Sequence, residues 1–246
     1  MGRTWVVGHR GASGHAPENT MAAFHRAVEL GASFIETDLH LTRDAHLVCV
    51  HDATLERTTG SNAAVKDLTL VQLHELDAGS WFGPEFAGER IPTLEEILNF
   101  AREKDIVIFL EVKQEAAWGI EHGLVAALRD AKEAARAVIL SFRPGMLRNV
   151  RRLDNTLMTG LLFHAIPDGG PEAIVDRALE IGARQLAPRG DIVTPELLEQ
   201  AHHNDLQVVC WTINHPVDMR ALIDAGVDGI MTDYPDRLVA ALNEKK

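Results

Sequence analysis

Short apolar runs alternate with amphipathic stretches almost to the end of the chain. Eight of the runs read as strands, at 4–9 (TWVVGH), 33–38 (SFIETD), 106–112 (IVIFLEV), 137–142, 156–162, 183–187, 207–213 and 228–232. They are near-continuously apolar, the pattern of strands buried on both faces of a sheet. Between them lie helical stretches such as ENTMAAFHRAVELG, TLEEILNFAREK, TPELLEQAHHND and PVDMRALIDAG. Several open on Ser/Thr, Asn or Pro and end near Gly or Asn, as capped helices do. Strands separated by helices must run parallel. Eight such units in 246 residues predict an α/β fold, a closed (β/α)8 barrel rather than an open sheet.

One segment breaks the alternation. After the second strand the chain reads LHLTRDAHLVCVHD, a β-hairpin around Arg43–Asp44–Ala45. With its turn centred on residues 44 and 45, the pairing runs 41 with 48, 39 with 50 and 38 with 51. That register sets His51 beside Asp38, and a slip of one residue would turn the ring away. Residues 52 to 92 follow without strong periodicity and read as an insertion over one end of the barrel, within a single catalytic domain spanning 1–246.

Composition narrows the function classes. The formal charge is −12, which argues against a broad nucleic-acid or anionic-membrane surface. An anionic ligand would therefore need a local cluster of cations or a metal ion. Cys49 and Cys210 sit in apolar runs and read as buried free thiols, fitting a reducing compartment. With no basic-then-apolar leader and no apolar run of membrane-spanning length, the chain is expected to be soluble, cytoplasmic and without a membrane anchor.

Active sites of parallel barrels gather where the strands end. Those ends supply His9 and Arg10, then Glu36 and Asp38, then Glu111 and Lys113, and Trp211 on the seventh strand. Side-chain alternation puts Glu36 with Asp38, and Glu111 with Lys113, on common faces. Gly8, Gly11 and Gly14 precede no nucleotide fingerprint; they fit neither G-x-G-x-x-G nor a P-loop, and turn geometry accounts for them. Each charged group alone has a structural explanation, as an ion pair or a solvated strand end; their convergence does not. Three carboxylates without cysteine form a hard oxygen site suited to Mg²⁺ or Ca²⁺. Two histidines, His9 and His51, can serve as general acid and base, while Arg10 and Lys113 supply positive charge for a phosphate. Metal, acid, base and cations together describe phosphoryl-ester cleavage. Trp211 fits either the core or a substrate wall. His202 and His203, on a polar helix face, and His74, His122 and His215 carry no role.

The ordered set HRG…PENT, E-T-D, HDATLERTTG, EVK, SF, WTIN and GVDGIMTDYP, running from about residue 8 to 237, resembles the glycerophosphodiester phosphodiesterases. The resemblance implies a TIM (β/α)8 barrel with a small insertion after the second strand. It implies His9 and His51 as the acid–base pair, Glu36, Asp38 and Glu111 as ligands of one divalent cation, Mg²⁺ or Ca²⁺, and Arg10 as a phosphate contact. Lys113 would line the same site, Glu18 would lie near it, and Trp211 would face the alcohol portion of the substrate. The implied reaction hydrolyses small glycerophosphodiesters, such as deacylated phospholipids, to glycerol 3-phosphate and an alcohol. Cleavage of lysophospholipids on the same site, as a lysophospholipase D does, is the alternative. A non-catalytic phosphate-binding barrel would have lost a histidine or a carboxylate, and this chain has lost none. Ala53, where an acidic residue is frequent after HD, touches no assigned role.

Overall fold

A computed structural model of the protein describes residues 4–113 and 119–244. Eight strands form a closed parallel barrel: β1 (Trp5–Gly8), β2 (Phe34–Leu41), β4 (Val107–Val112), β5 (Ala137–Ser141), β6 (Met158–Phe163), β7 (Gln185–Pro188), β8 (Gln207–Cys210) and β9 (Gly229–Thr232). The ninth strand, β3 (Leu47–Cys49), pairs antiparallel with the far end of β2. The order β1-β9-β8-β7-β6-β5-β4-β2 closes through β2 pairing with β1. This is a TIM barrel, as the strand–helix alternation predicts.

Among the described residues eight helices cover the outside: α1 (Met21–Glu29), α4 (Leu94–Lys104), α5 (Ile120–Ala131), α6 (Pro144–Leu153), α7 (Gly170–Glu180), α8 (Pro195–His203), α9 (Pro216–Ala225) and α10 (Pro235–Asn243). Their starts obey capping chemistry. Thr93 accepts from the Glu96 amide while the Glu96 side chain takes the Thr93 amide, a reciprocal box that satisfies two otherwise orphaned donors. Two short helices, α2 (Glu56–Thr59) and α3 (Leu70–Leu73), lie between β3 and α4. Among the described residues no helix is long and apolar enough to cross a membrane.

Strand alternation divides the core into two apolar layers. Val7, Phe109, Val138, Leu140, Leu162, Ala187, Val209 and Met231 pack inside the barrel. Residues of opposite parity, among them Ile35, Ile108, Ile139 and Leu186, pack outward against the helices. Residues 48–91 carry their own apolar cluster of Val48, Val50, Leu55, Val65, Leu73, Ala78 and Ile91. The apolar plug ends below the C-terminal rim, where the next inward positions include His9, Glu111 and Asp233 on one side and Phe142 and Trp211 on the other. That change positions the site.

The hairpin register differs from the expected one. Leu39 faces Cys49, His40 faces Val48 and Leu41 faces Leu47, one residue away from the predicted pairing. The cause is a three-residue loop in place of a two-residue turn. Thr42 and His46 close it, and Ala45 adopts φ 64°, the left-handed position at the end of such loops.

Candidate active site at the barrel mouth

His9, Arg10, Glu36, His51, Glu111, Lys113 and Trp211 all line one cavity of about 240 Å³ at the C-terminal rim. A second cavity of about 250 Å³, beside α5 and α6, meets it only at Lys113 and has no histidine in its wall among the described residues. The convergence read from strand ends is therefore present.

Glycine chemistry shapes the first loop. Arg10 has φ 54° and Gly11 φ 84°, so the chain turns back sharply after β1. A side chain at Gly11 would strike the Ala23 backbone at 2.6 Å, so the turn tolerates only glycine. The turn aims the Arg10 amide at Glu36 Oε2, 3.0 Å away.

Glu36, Asp38 and Glu111 each offer one oxygen within 4.8 Å of the others. Glu36 and Asp38 are buried, and Asp38 faces Glu111 across the β2–β4 ladder. Burial and the adjacent Asp38 charge push the Glu36 carboxyl up to about 8. Burial and Asp38 raise Glu111 as well. Burial would also raise Asp38, but Arg10, Lys113, His51 and the Asn19 amide outweigh it and hold this carboxyl low. Glu36 Oε1 is buried without a hydrogen-bond donor among the described residues. An orphaned carboxylate oxygen within a crowded trio of hard oxygens fits a divalent cation, which would relieve the repulsion.

The two histidines share one design. His9 Nδ1 donates to Asp233 Oδ1 at 2.7 Å, and its Nε2 lies 4.0 Å from Glu36. His51 Nδ1 donates to Asp52 Oδ1 at 2.6 Å. In both rings the aspartate fixes the tautomer and leaves Nε2 for chemistry. Burial alone would lower the His9 pKa, but the Asp233 hydrogen bond and the Glu36 charge leave it raised. His51 reaches the mouth despite the shifted register. The Val50 amide donates to the Asp38 carbonyl, the chain then leaves the ladder, and the bend at His51–Asp52 carries the ring inward.

Lys113 Nζ sits 2.7 Å from Glu111 and 3.1 Å from Asp38, and Arg10 Nε is 3.2 Å from Asp38. Glu18 lies under Arg10 rather than in the cavity wall, accepting from Arg10 Nη1 at 2.9 Å and from Arg57. Trp211 forms an apolar wall: its ring meets Phe142 edge-on at 5.7 Å, and its Nε1–H is spent on the Ala187 carbonyl.

Three neighbours escaped the sequence reading: Asp233, Asp52 and Asn19. Asp233 collects donors from His9, Ser13 Oγ and Asn214 Nδ2. Its signal was present, because 233 is the next inward position after Met231 on β9. Asn19 donates to Asp38 Oδ2 at 2.9 Å and is itself held by Thr37.

Comparison with known proteins agrees with this layout. The model of the glycerophosphoryl diester phosphodiesterase family matches residues 9–237. A glycerophosphodiester phosphodiesterase of Caldanaerobacter subterraneus is 42% identical over 239 residues, covering 96% of this chain and 97% of that protein. One from Bacillus subtilis is 34% identical, covering 95% and 85%. An Oleispira antarctica phosphodiesterase, solved in complex with the product sn-glycerol-3-phosphate, superposes with a TM-score of 0.89 at 29% identity, covering 98% of each chain. With the match extending over nearly the whole barrel, the chain belongs to the glycerophosphoryl diester phosphodiesterase family.

Proposed function

We propose that the family's phosphodiester hydrolysis is carried out at this mouth by His9 and His51, releasing glycerol 3-phosphate and an alcohol. The observation that carries the reading is the pair of aspartate-held imidazoles flanking a trio of carboxylates, two of them buried. Glu36, Asp38 and Glu111 would hold one Mg²⁺ or Ca²⁺, which when bound supplies positive charge to the phosphoryl oxygens. Arg10 grips the phosphate from the turn after β1, fixed from behind by Glu18 and Asp38. Lys113 adds a second cation at the same rim.

The neutral ring takes at Nε2 the proton of the attacking water, and as the bond from phosphorus to the alcohol oxygen breaks the protonated ring delivers a proton from its Nε2 to the departing alkoxide. Asp233 and Asp52 stay ionised and hold each Nδ1–H. Asp233 falls to about 2 because its hydrogen bonds and the His9 charge outweigh burial. Burial would raise Asp52 also, but Arg57 and His51 lower it. Trp211 and Phe142 shield the alcohol side of the substrate from water. The 240 Å³ cavity suits a small diester rather than a lipid chain.

The test is release of glycerol 3-phosphate from a panel of glycerophosphodiesters, with and without chelator. Release that chelation stops and Mg²⁺ or Ca²⁺ restores supports the reading. No release from any diester in the presence of either cation contradicts it.

A further inference from the structure

Arg57 is a charged group beside the mouth to which the reaction above gives no part of its own. It lies on α2 in the insertion, 43% exposed. Its Nε donates to Asp52 Oδ2 at 2.7 Å, and its Nη1 and Nη2 reach both oxygens of Glu18 at 2.7 and 2.8 Å. Each of those carboxylates holds a mouth residue with its remaining capacity. Asp52 Oδ1 takes His51 Nδ1, and Glu18 Oε1 takes Arg10 Nη1. Arg10 continues to Asp38 through its Nε. One guanidinium thus closes a continuous chain from His51 through Asp52, Glu18 and Arg10 to Asp38.

We propose that Arg57 is a positioning residue, holding His51 through Asp52 and Arg10 through Glu18, for the hydrolysis proposed above, on which this inference rests. The fork geometry matters. Three nitrogens of one rigid plane meet three carboxylate oxygens from two separate segments, which a lysine ammonium cannot reproduce. An ion pair this exposed adds little to folding stability, so its consequence is orientation. Asp52 is itself partly exposed, and without Arg57 nothing described fixes its second oxygen. Burial would raise the Glu18 carboxyl, but Arg57 and Arg10 outweigh it, so the link remains ionic.

The experiment compares wild type, Arg57→Lys, Arg57→Ala, Asp52→Asn and the Arg57→Ala/Asp52→Asn double variant. The first readout, ¹⁵N NMR of the neutral His51 imidazole, needs no turnover. His51 should be the Nδ1–H tautomer in wild type and move toward a mixture in both Arg57 variants. The second readout is kinetic. Both Arg57 variants should lose kcat by ~10–100-fold and bind glycerol 3-phosphate more weakly, as expected when reacting groups drift by about 1 Å. Asp52→Asn should lose kcat while keeping its glycerol 3-phosphate inhibition, and the double variant should fall no further in kcat than the worse single. An unchanged tautomer, multiplying losses or a fully active Arg57→Lys would overturn the proposal. Should Arg57→Ala fail to fold, the lysine variant decides alone. Absence of turnover in wild type would overturn the reaction assigned above, and the tautomer would still decide the role of Arg57.

Discussion

Replacing Asp233 with asparagine removes a charge from beneath His9 with almost no change of shape. The asparagine carbonyl can still accept from His9 Nδ1 and Ser13 Oγ, which both sit on Oδ1 at 2.7 and 2.8 Å. Its amide nitrogen must then face Asn214 Nδ2, a donor that reaches Asp233 Oδ2 at 2.6 Å. Asn214 has no easy flip, because its own carbonyl holds the Asp233 amide and Thr232 Oγ1. The magnitude follows from the carboxyl, which lies at about 2 instead of 3.8 and is 25% exposed. That depression corresponds to about 2 kcal/mol of folding stability at pH 7. Its sign is fixed: the contribution is complete above the unfolded value of 3.8 and is lost as the pH falls through about 2. Urea unfolding should therefore show Asp233→Asn weaker than wild type by about 2 kcal/mol at pH 7, with roughly half that gap at pH 3. Because the protonated His9 ring also loses the carboxylate charge that stabilises it, kcat on glycerophosphocholine should fall ~10²–10⁴-fold. A variant with wild-type kcat, or a stability gap that grows as the pH falls, would refute the reasoning.

Three further outcomes are expected. Thorough chelation should abolish turnover and Mg²⁺ or Ca²⁺ should restore it, whereas full activity in a chelated sample would remove the role given to Glu36, Asp38 and Glu111. Arg10→Ala should raise the inhibition constant of glycerol 3-phosphate by ~10-fold or more while circular dichroism stays native, the size expected for losing one charge-assisted contact; an unchanged constant would mean that Arg10 does not touch the phosphate. Catalytic efficiency should be higher on glycerophosphocholine than on a lysophospholipid, and equality would favour the lysophospholipase-D-like alternative.

Much of the barrel and its rim was legible because parallel strands impose parity. Once Val7, Phe109 and Met231 are inward, His9, Glu111 and Asp233 must be inward too. The same rule reaches Asp233, which went unread because it lies one position past the apolar run that marks β9. The hairpin was less legible. Loop length and backbone handedness at Ala45 decide its register, and neither leaves a hydrophobic period. Asp52 and Arg57 were hidden for a related reason. The four-residue helix that carries Arg57 is too short for any periodicity, and its partner Glu18 is 39 residues distant in the chain. Contacts between a loop and an insertion follow from the closed fold, not from local pattern. Glu18 shows the limit of proximity: it lies near the site, as the resemblance implies, yet its carboxylate is spent on two arginines.

The division of labour between the two histidines is tested most directly by changing the leaving group. A choline alkoxide needs a proton to depart, and a nitrophenolate does not. The rates of wild type, His9→Ala and His51→Ala should be compared on glycerophosphocholine and on a nitrophenyl phosphodiester. Both variants should fall ~10²–10⁴-fold on the first substrate. On the second, the variant lacking the acid should recover most of its rate, and the variant lacking the base should remain slow. Recovery of both to the same degree, or of neither, would contradict a mouth in which one histidine gives the proton and the other takes it.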